Sequence, residues 1–300
     1  CLKYNGLLGR HQAGFRSGQS TTDQLVAFES YVRDAFIHKQ HCLSVFFDLE
    51  KAYDMTWRYG ILRDLRSFGV SGNMLNTIES YLSDRTFVVR VGNALSKWFT
   101  QENGVPQGGV LSCTLFIVKM NPISTSMPRT ISYSVYVDDI QISFKSCNLA
   151  TCERQIQLAV NKLSSRADKN GYKFNCDKTL RVLFSKLRGI RPSPNISING
   201  QTIATKTDHK FLGVVVDEKF SFVTHIKQLR LKCLKALNLL EILSHQSWGT
   251  DRDCLLNLLN SVVLSRIDYG SVVCGSASRS ALKMFGPVHH HGLRLASCAF

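Results

Sequence analysis

Three carboxylates stand where carboxylates are expensive. Asp48 closes the apolar run Val45-Phe46-Phe47, and Asp138-Asp139 interrupt the apolar stretch from Val135-Tyr136-Val137 to Ile140. A charged group at the end of a buried strand is costly to desolvate unless it is paired or binds a cation. Three of them, brought together by adjacent strands, would repel one another without a metal. Such a set suits hard divalent cations, which take oxygen ligands, and a pair of Mg²⁺ ions can clamp the attacking and leaving oxygens of a phosphoryl transfer. The plain alternative is that Asp138-Asp139 forms a tight turn, for which Asp is well suited. On these residues alone both readings stay open.

The elements that must position these acids are legible from periodicity. Cys42 to Phe47 is short, apolar and rich in β-formers, which predicts a buried strand ending at Asp48. Ile131–Val137 and Ile140–Phe144 read as two strands separated only by Asp138-Asp139, which is hairpin spacing. Ser20-Thr21-Thr22-Asp23-Gln24 offers a capping box to a helix carrying Leu25, Phe28, Val32 and Phe36. Trp57, Ile61, Leu65 and Phe68 mark a second helix closed by Gly69, and Met74–Leu82 a third. Phe87–Val91 and Lys97–Gln101 read as strands around Gly92-Asn93. A helix is expected over residues 150–170 with Ile156, Val160 and Leu163 inward. Strands are expected at Arg181–Phe184 and His209–Val216, on either side of an Asn199-Gly200 hairpin. From Val223 the pattern is helical: Ile226, Leu229, Cys233, Leu237 and Leu240 recur every three to four residues, with Lys227, Arg230, Lys232 and Lys235 interleaved. The expected architecture is α+β, with residues 1–222 as one unit and the helical residues 223–300 as another. No repeat is present.

Composition narrows the partners. With 300 residues, 44% hydrophobic and 20% charged, the chain is neither a disordered tail, a collagen-like fibre nor a coiled-coil rod. No uncharged apolar run approaches the ~18 residues that span a bilayer, so no membrane is expected. The net charge is +15, and Lys162 to Arg191 alone holds nine basic and two acidic residues. Such a field favours a polyanion, with a merely solubilising surface as the alternative. The ten cysteines lack a C-x-x-C pair, and Cys147 and Cys152 have no histidine at zinc-finger spacing. They are expected to be reduced and mostly buried, in an intracellular compartment. His289-His290-His291 has no Cys or carboxylate neighbour and is expected to cap or precede a helix.

Several blocks in one order give the chain a resemblance. Gln12-Ala13-Gly14-Phe15-Arg16-Ser17-Gly18-Gln19-Ser20-Thr21-Thr22-Asp23-Gln24-Leu25 is followed by Phe47-Asp48-Leu49-Glu50-Lys51-Ala52-Tyr53-Asp54. Then come Asn103-Gly104-Val105-Pro106-Gln107-Gly108-Gly109-Val110-Leu111-Ser112 and Tyr136-Val137-Asp138-Asp139. Gly171-Tyr172-Lys173-Phe174-Asn175, Lys178-Thr179 and Phe211-Leu212-Gly213-Val214 complete the set. Together they resemble the reverse transcriptases of non-LTR (LINE-type, jockey-like) retrotransposons, from about residue 10 to 220.

The resemblance implies a right-hand polymerase: partial fingers, a palm with an antiparallel sheet, and a helical thumb. It implies an RNA-directed DNA polymerase that joins a primer 3′-hydroxyl to the α-phosphate of a deoxynucleoside triphosphate. Asp48, Asp138 and Asp139 would be the palm carboxylates holding two Mg²⁺, with Mn²⁺ as an alternative. Tyr53 would be the aromatic gate against a ribose 2′-hydroxyl. Leu49, Gln107 and Gly108 would touch the incoming nucleotide, and Arg16 would steady triphosphate or template unless it caps a turn or pairs with Asp23. Lys178 would lie near the leaving pyrophosphate, where an ammonium can donate a proton. Phe211, Leu212 and Gly213 would form the primer grip. The basic face carrying Lys227, Arg230 and Lys235 would follow the duplex backbone.

The implied partners are an RNA template, a DNA primer and deoxynucleoside triphosphates, and the implied location is the nucleus. The pattern departs from the family at Val137, usually Ala, and at Ser112-Cys113, usually Ser-Pro. The chain opens on Cys1 and carries no fingers block before Gly9. It is therefore expected to be a fragment of a protein with an upstream endonuclease and an optional RNase H domain. Two rivals stay open: a truncated, inactive relic that only binds nucleic acid, and a non-catalytic nucleic-acid-binding module with an Asp-Asp turn.

Overall fold

Ser20 and Asp23 start the first helix by capping each other. In a computed structural model, which describes residues 7–9, 11–125, 127–187, 193–245 and 248–297, the Ser20 hydroxyl accepts the Asp23 N–H at 3.2 Å. The Asp23 carboxylate accepts the Ser20 N–H at 2.7 Å, so two orphan donors are satisfied reciprocally. This helix, α1 (Thr21–Ile37), leads into β1 (His41–Phe47), then α2 (Arg58–Ser67) and α3 (Gly72–Leu82). Four two-residue strands follow: β2 (Thr86–Phe87), β3 (Arg90–Val91), β4 (Ala94–Leu95) and β5 (Phe99–Thr100). Next are α4 (Val110–Ser124), β6 (Ser132–Tyr136), β7 (Asp139–Ser146), α5 (Leu149–Lys169) and β8 (Leu180–Phe184). Short strands β9 (Ser197–Ile198), β10 (Gln201–Thr202) and β11 (Ala204–Thr205) precede the hairpin β12 (Asp208–Phe211) and β13 (Val214–Asp217). The remainder is helical: α6 (Val223–Leu243), α7 (Arg252–Leu258), a π-helical segment (Leu259–Leu264), α8 (Ser265–Asp268), α9 (Ser271–Cys274), α10 (Arg279–Leu282), a 3₁₀ turn (Lys283–Phe285) and α11 (Gly286–Ser297).

The main sheet has the order β11-β8-β1-β7-β6, antiparallel throughout except where β11 runs parallel to β8. Both of its faces are covered, which is why Cys42 to Phe47 is apolar but for Ser44, whose hydroxyl bonds Ser143 at 2.5 Å. Leu43, Val45, Phe47, Ile140 and Ile142 pack under Phe116 and Met120 of α4 and Ile156 and Val160 of α5. Cys42, Phe46, Leu180, Val182 and Phe184 face the other way, against Leu25, Phe28 and Val32 of α1 and Phe211 and Val214 of the β12–β13 hairpin. That second cluster takes in Ile226 of α6, Val273 and Cys274 of α9 and Ala281 of α10, so one core continues across residue 222. A third cluster joins α6, α7, the π segment and α11 through Leu237, Leu259, Val263 and Val288.

Four local expectations change. The turn between β6 and β7 is Val137-Asp138, not Asp138-Asp139: Tyr136 pairs with Asp139, which already belongs to β7. His209–Val216 is not one strand but a hairpin bent at Leu212-Gly213, with φ of +43° and +87°. The 86–100 hairpin does turn at Gly92-Asn93, but its ladder is broken into two short pairs, β2·β5 and β3·β4. His289, His290 and His291 lie inside α11 rather than before a helix.

Among the described cysteines, four are buried, two half-buried and two exposed, and all are free thiols. Arg188 and Arg191 of the basic stretch lie outside the described residues. No described helix is long and apolar enough to cross a membrane.

Candidate active site

The β1–β7 register brings the acids together. Phe47 pairs with Ile140, so continuing the antiparallel ladder by one residue sets Asp48 opposite Asp139. Asp138 sits in the adjoining turn. Burial raises the Asp138 carboxyl above the usual range, and the charge of Asp48 adds to it. Partial burial pushes Asp139 up to about 6, helped by the charges of Asp138 and Asp48. The nearest compensating cation is Lys178, whose Nζ lies 3.8 Å from an Asp48 oxygen in an exposed pair worth little on its own. Asp48 is strapped from below: its N–H donates to Thr179 Oγ1 at 3.3 Å, and its carbonyl accepts the Asn175 N–H at 2.8 Å.

The turn that carries Asp138 is strained and braced. Val137 holds φ +61°, a left-handed conformation costly for a β-branched residue. Gln12 pays for it from 125 residues away. Its Oε1 accepts the N–H groups of Val137 (3.1 Å) and Gly14 (2.9 Å), and its Nε2 donates to the Val137 carbonyl at 3.2 Å. Gln12 is fully buried, and the Ala13 N–H donates to the Val135 carbonyl at 2.9 Å, so residues 11–14 lie alongside β6. The approach is close enough that a methyl group at Gly14 would meet Val137 Cγ2 at 2.5 Å, which leaves room only for glycine.

Gln12→Leu strands one buried and two half-buried backbone polar groups and frees the turn. The expected result is a rate at this centre lower by about 100-fold, the loss typical of a misplaced reacting group. Val137→Gly, which adopts φ +61° without strain, should restore part of the rate in the double variant. A rate within twofold of native for Gln12→Leu would refute the brace. Gln12 opens the first of the ordered blocks, but nothing in its local sequence marks its partner.

A cavity of about 340 Å³ opens beside the turn, lined by Lys51, Tyr53, Asp54, Gln107, Gly108, Gly109, Cys113 and Asp138. Tyr53 lies in a turn before α2, not on a helix, and stacks on Phe116 at 4.6 Å with the rings 4° from parallel. Burial, then the neighbouring Cys113, holds its phenol protonated. Gln107 Nε2 donates to Asp54 at 3.1 Å, and Gly108, at φ +86°, turns its backbone toward the cavity mouth as only glycine does easily. Lys51 lines the same cavity and was not singled out from sequence.

Other candidates fall elsewhere. Leu49 is buried in the core, so only its backbone is available to a ligand. Arg16 does not pair with Asp23: its guanidinium donates to the carbonyls of Gly9 (2.7 Å) and Gln12 (3.1 Å) and holds that turn. Lys178 faces a separate cavity of about 220 Å³ with Asp48, Asp139, His209 and Lys210, apart from Tyr53 and Gln107. Phe211 and Leu212 bury their side chains, and Tyr269 donates to the Leu212 carbonyl at 2.6 Å, fixing the hairpin bend.

The cations of α6 do not share one face. At roughly 100° per residue, His225, Gln228 and Lys232 turn toward the β12–β13 hairpin, whereas Lys227 and Arg230 turn away. Lys232 lines a cavity of about 480 Å³ with Lys210, Gly213 and Arg266, while Lys227 and Lys235 are exposed and Arg230 is half-buried.

Among the described residues no three His, Cys, Asp or Glu side chains already converge as a ligand shell. The donor set nevertheless fits a divalent cation: three mutually repelling carboxylates, all oxygen donors, with one lysine against them. The fit has a consequence without the metal. A carboxyl whose pKa is raised on folding favours the folded state below its unfolded value, ~3.9. That stability is lost as pH rises through the folded value, about 6 for Asp139. In EDTA the chain should therefore lose stability between about pH 4 and pH 6.5. The loss is modest, because Asp139 keeps solvent contact. A divalent cation should reverse it, and Asp139→Asn should flatten it. Melting curves that are parallel across this range with and without the cation would contradict the fit.

The chain is similar in sequence and in fold to known proteins. The model of the family described as reverse transcriptase (RNA-dependent DNA polymerase) matches residues 2–216. The chain is 28% identical to the probable RNA-directed DNA polymerase from transposon BS of Drosophila melanogaster, over 98% of this chain and 33% of that protein. It is 26% identical to the RNA-directed DNA polymerase from the mobile element jockey of the same fly, over 100% of this chain and 33% of that one. The chain thus spans about a third of the length of the curated relatives it matches. Among solved structures, the apo telomerase of Candida tropicalis superposes with a TM-score of 0.52 at 14% identity, covering 99% of this chain and 54% of that one. The telomerase of the same yeast in complex with a fragment of telomeric RNA gives 0.50 at 14% identity, over 98% and 49%. The shared fold is the α+β right-hand polymerase fold, and by the breadth of the sequence match the chain belongs to the reverse transcriptase (RNA-dependent DNA polymerase) family.

Proposed function

We propose that this chain carries the polymerase centre of a non-LTR retrotransposon protein and extends a DNA primer on an RNA template. The observation that carries the reading is the register that sets Asp48 opposite Asp139, with Asp138 in the next turn, beside a cavity holding Tyr53, Gln107 and Gly108. Two Mg²⁺ ions, or Mn²⁺, bound by Asp48, Asp138 and Asp139 would lower the pKa of the primer hydroxyl and neutralise charge developing on the transferred phosphate.

The chain's own residues do the rest. Tyr53, fixed flat against Phe116, presents its ring to the sugar of an incoming nucleotide and excludes a 2′-hydroxyl. The Gln107 amide and the Gly108 backbone approach the base pair and its phosphates. Lys178, on the Asp48 side, would be a proton donor to the leaving group only after moving from its present partner. Gly213 and Lys210 border the primer, and Lys232 and Arg266 face its backbone. An RNA template, a DNA primer and deoxynucleoside triphosphates are the partners this implies. Endonuclease and possible RNase H domains would belong to the longer protein, which would act in the nucleus.

Extension of a DNA primer on an RNA template should require the four deoxynucleotides and a divalent cation, and should stop with EDTA. Salt-sensitive binding of the hybrid without extension under any metal would instead favour a chain that only holds nucleic acid.

A further inference from the structure

The β2–β5 hairpin is an arm whose large apolar side chains stay uncovered among the described residues. Phe87, Val89, Val91, Leu95, Trp98 and Phe99 are all among the exposed large apolar residues, Trp98 at 71%. A two-stranded hairpin is marginal in water by itself, and six exposed apolar side chains ask for a cover. The chemistry of the arm says which kind. Between the flanking Asp84 and Glu102 it carries Arg85, Arg90 and Lys97 and no carboxylate. Its rings lie as platforms: Phe87 and Phe99 stack across the strands at 5.6 Å, 26° from parallel, with Lys97 Nζ 5.5 Å from the Phe99 centroid.

At the base of the arm Arg58 donates to the carbonyls of Gly104 at 3.0 Å and Asn103 at 3.4 Å, within reach of the charge of Arg85. The charge of Arg85 lowers the pKa of Arg58, after burial, and Arg85 Nε is buried with no hydrogen-bond partner. Arg85 also lies 5.9 Å from the ring of Tyr81, whose hydroxyl is 2.9 Å from Ser112 Oγ. The second strand of the arm runs directly into Gly104–Gly109, the loop that forms one wall of the Tyr53 cavity. Exposed π-faces, an arginine whose buried Nε has no partner, and continuity with that wall describe a site for a strand that offers bases and phosphates together.

We infer that the 85–101 hairpin, with Arg58, binds the unpaired RNA template strand ahead of the cavity, stacking bases on Trp98 and the Phe87–Phe99 pair and holding phosphate with Arg85. The inference rests on the templated reaction proposed above and names the surface by which the template would be held.

The test measures binding rather than extension. The Asp138→Asn/Asp139→Asn chain is titrated with two RNA·DNA hybrids of equal duplex length, one blunt and one with a 5′ RNA overhang. The overhang should bind about tenfold tighter, and Trp98→Ala should remove most of that advantage without changing the blunt hybrid. Arg85→Ala should reduce the salt slope for the overhang by about one. Equal affinity for both hybrids, no binding of either, or a Trp98→Ala loss shared equally by both, would overturn the inference. So would a Trp98→Ala change confined to self-association, read by sedimentation, since the arm would then be a contact between copies. The two readings fail separately. Extension by the native chain with no overhang preference sinks only the arm, and overhang preference without extension sinks only the polymerase.

Discussion

Asp48→Asn should lower single-nucleotide incorporation by on the order of 10³-fold while leaving the chain folded. Asp48 is the carboxylate that both others feel: its charge raises Asp138 and Asp139, so all three share one electrostatic centre. An amide in its place keeps the shape and the backbone bonds to Thr179 and Asn175, which involve only main-chain atoms of residue 48. What goes is one of three negative oxygen donors, and with it several kcal/mol of charge stabilisation in the transition state. Stability should not fall with it. The lost ion pair with Lys178 is exposed, and repulsion among the acids is relieved. The metal-free variant should melt at or slightly above the native temperature. A single-turnover rate within tenfold of native would remove Asp48 from the centre.

Phe28→Ala should destabilise the chain by about 3–5 kcal/mol, the usual cost of deleting a buried phenyl ring. Phe28 is nearly fully buried on α1, and four rings meet it edge-on: Phe46 at 5.8 Å, and Phe184, Phe211 and Phe220 each at 5.6 Å. Phe46 and Phe184 belong to the sheet that carries Asp48, whereas Phe211 ends the first strand of the β12–β13 hairpin. The ring therefore holds the hairpin against the sheet, and such edge-to-face pairs add to the area buried. Urea unfolding should show the loss, and Phe28→Leu should cost less than half as much. A change below 1 kcal/mol for Phe28→Ala would mean that the cluster collapses to fill the space.

Much of this is legible in the sequence alone. The capping box at Ser20 and Asp23, the strand ending at Asp48 and the helix from Leu149 all follow from local patterns, because each is decided by neighbours within a few residues. The turn at Val137-Asp138 was displaced by one residue for a physical reason. Local chemistry assigns the tight turn to Asp-Asp and disfavours φ > 0 at valine, and the carboxamide that overrides it arrives from Gln12. The bend at Leu212-Gly213 was hidden inside an apolar run, since its support is the hydroxyl of Tyr269, 57 residues on. Arg16 and Leu49 belong to their blocks in sequence, but a side chain's direction is set by packing that the block does not contain. The division of α6 between Lys232 and Lys227 was open to a helical-wheel count, yet which side meets the hairpin depends on tertiary packing.

The centre itself is tested most directly by one comparison. The native chain and its Asp138→Asn/Asp139→Asn variant are given the same RNA template, DNA primer, deoxynucleotides and saturating Mg²⁺, with hybrid affinity measured alongside. The native chain should extend the primer and the variant should not, although both bind the hybrid equally well. Equal extension by the two would contradict a polymerase centre built on these carboxylates.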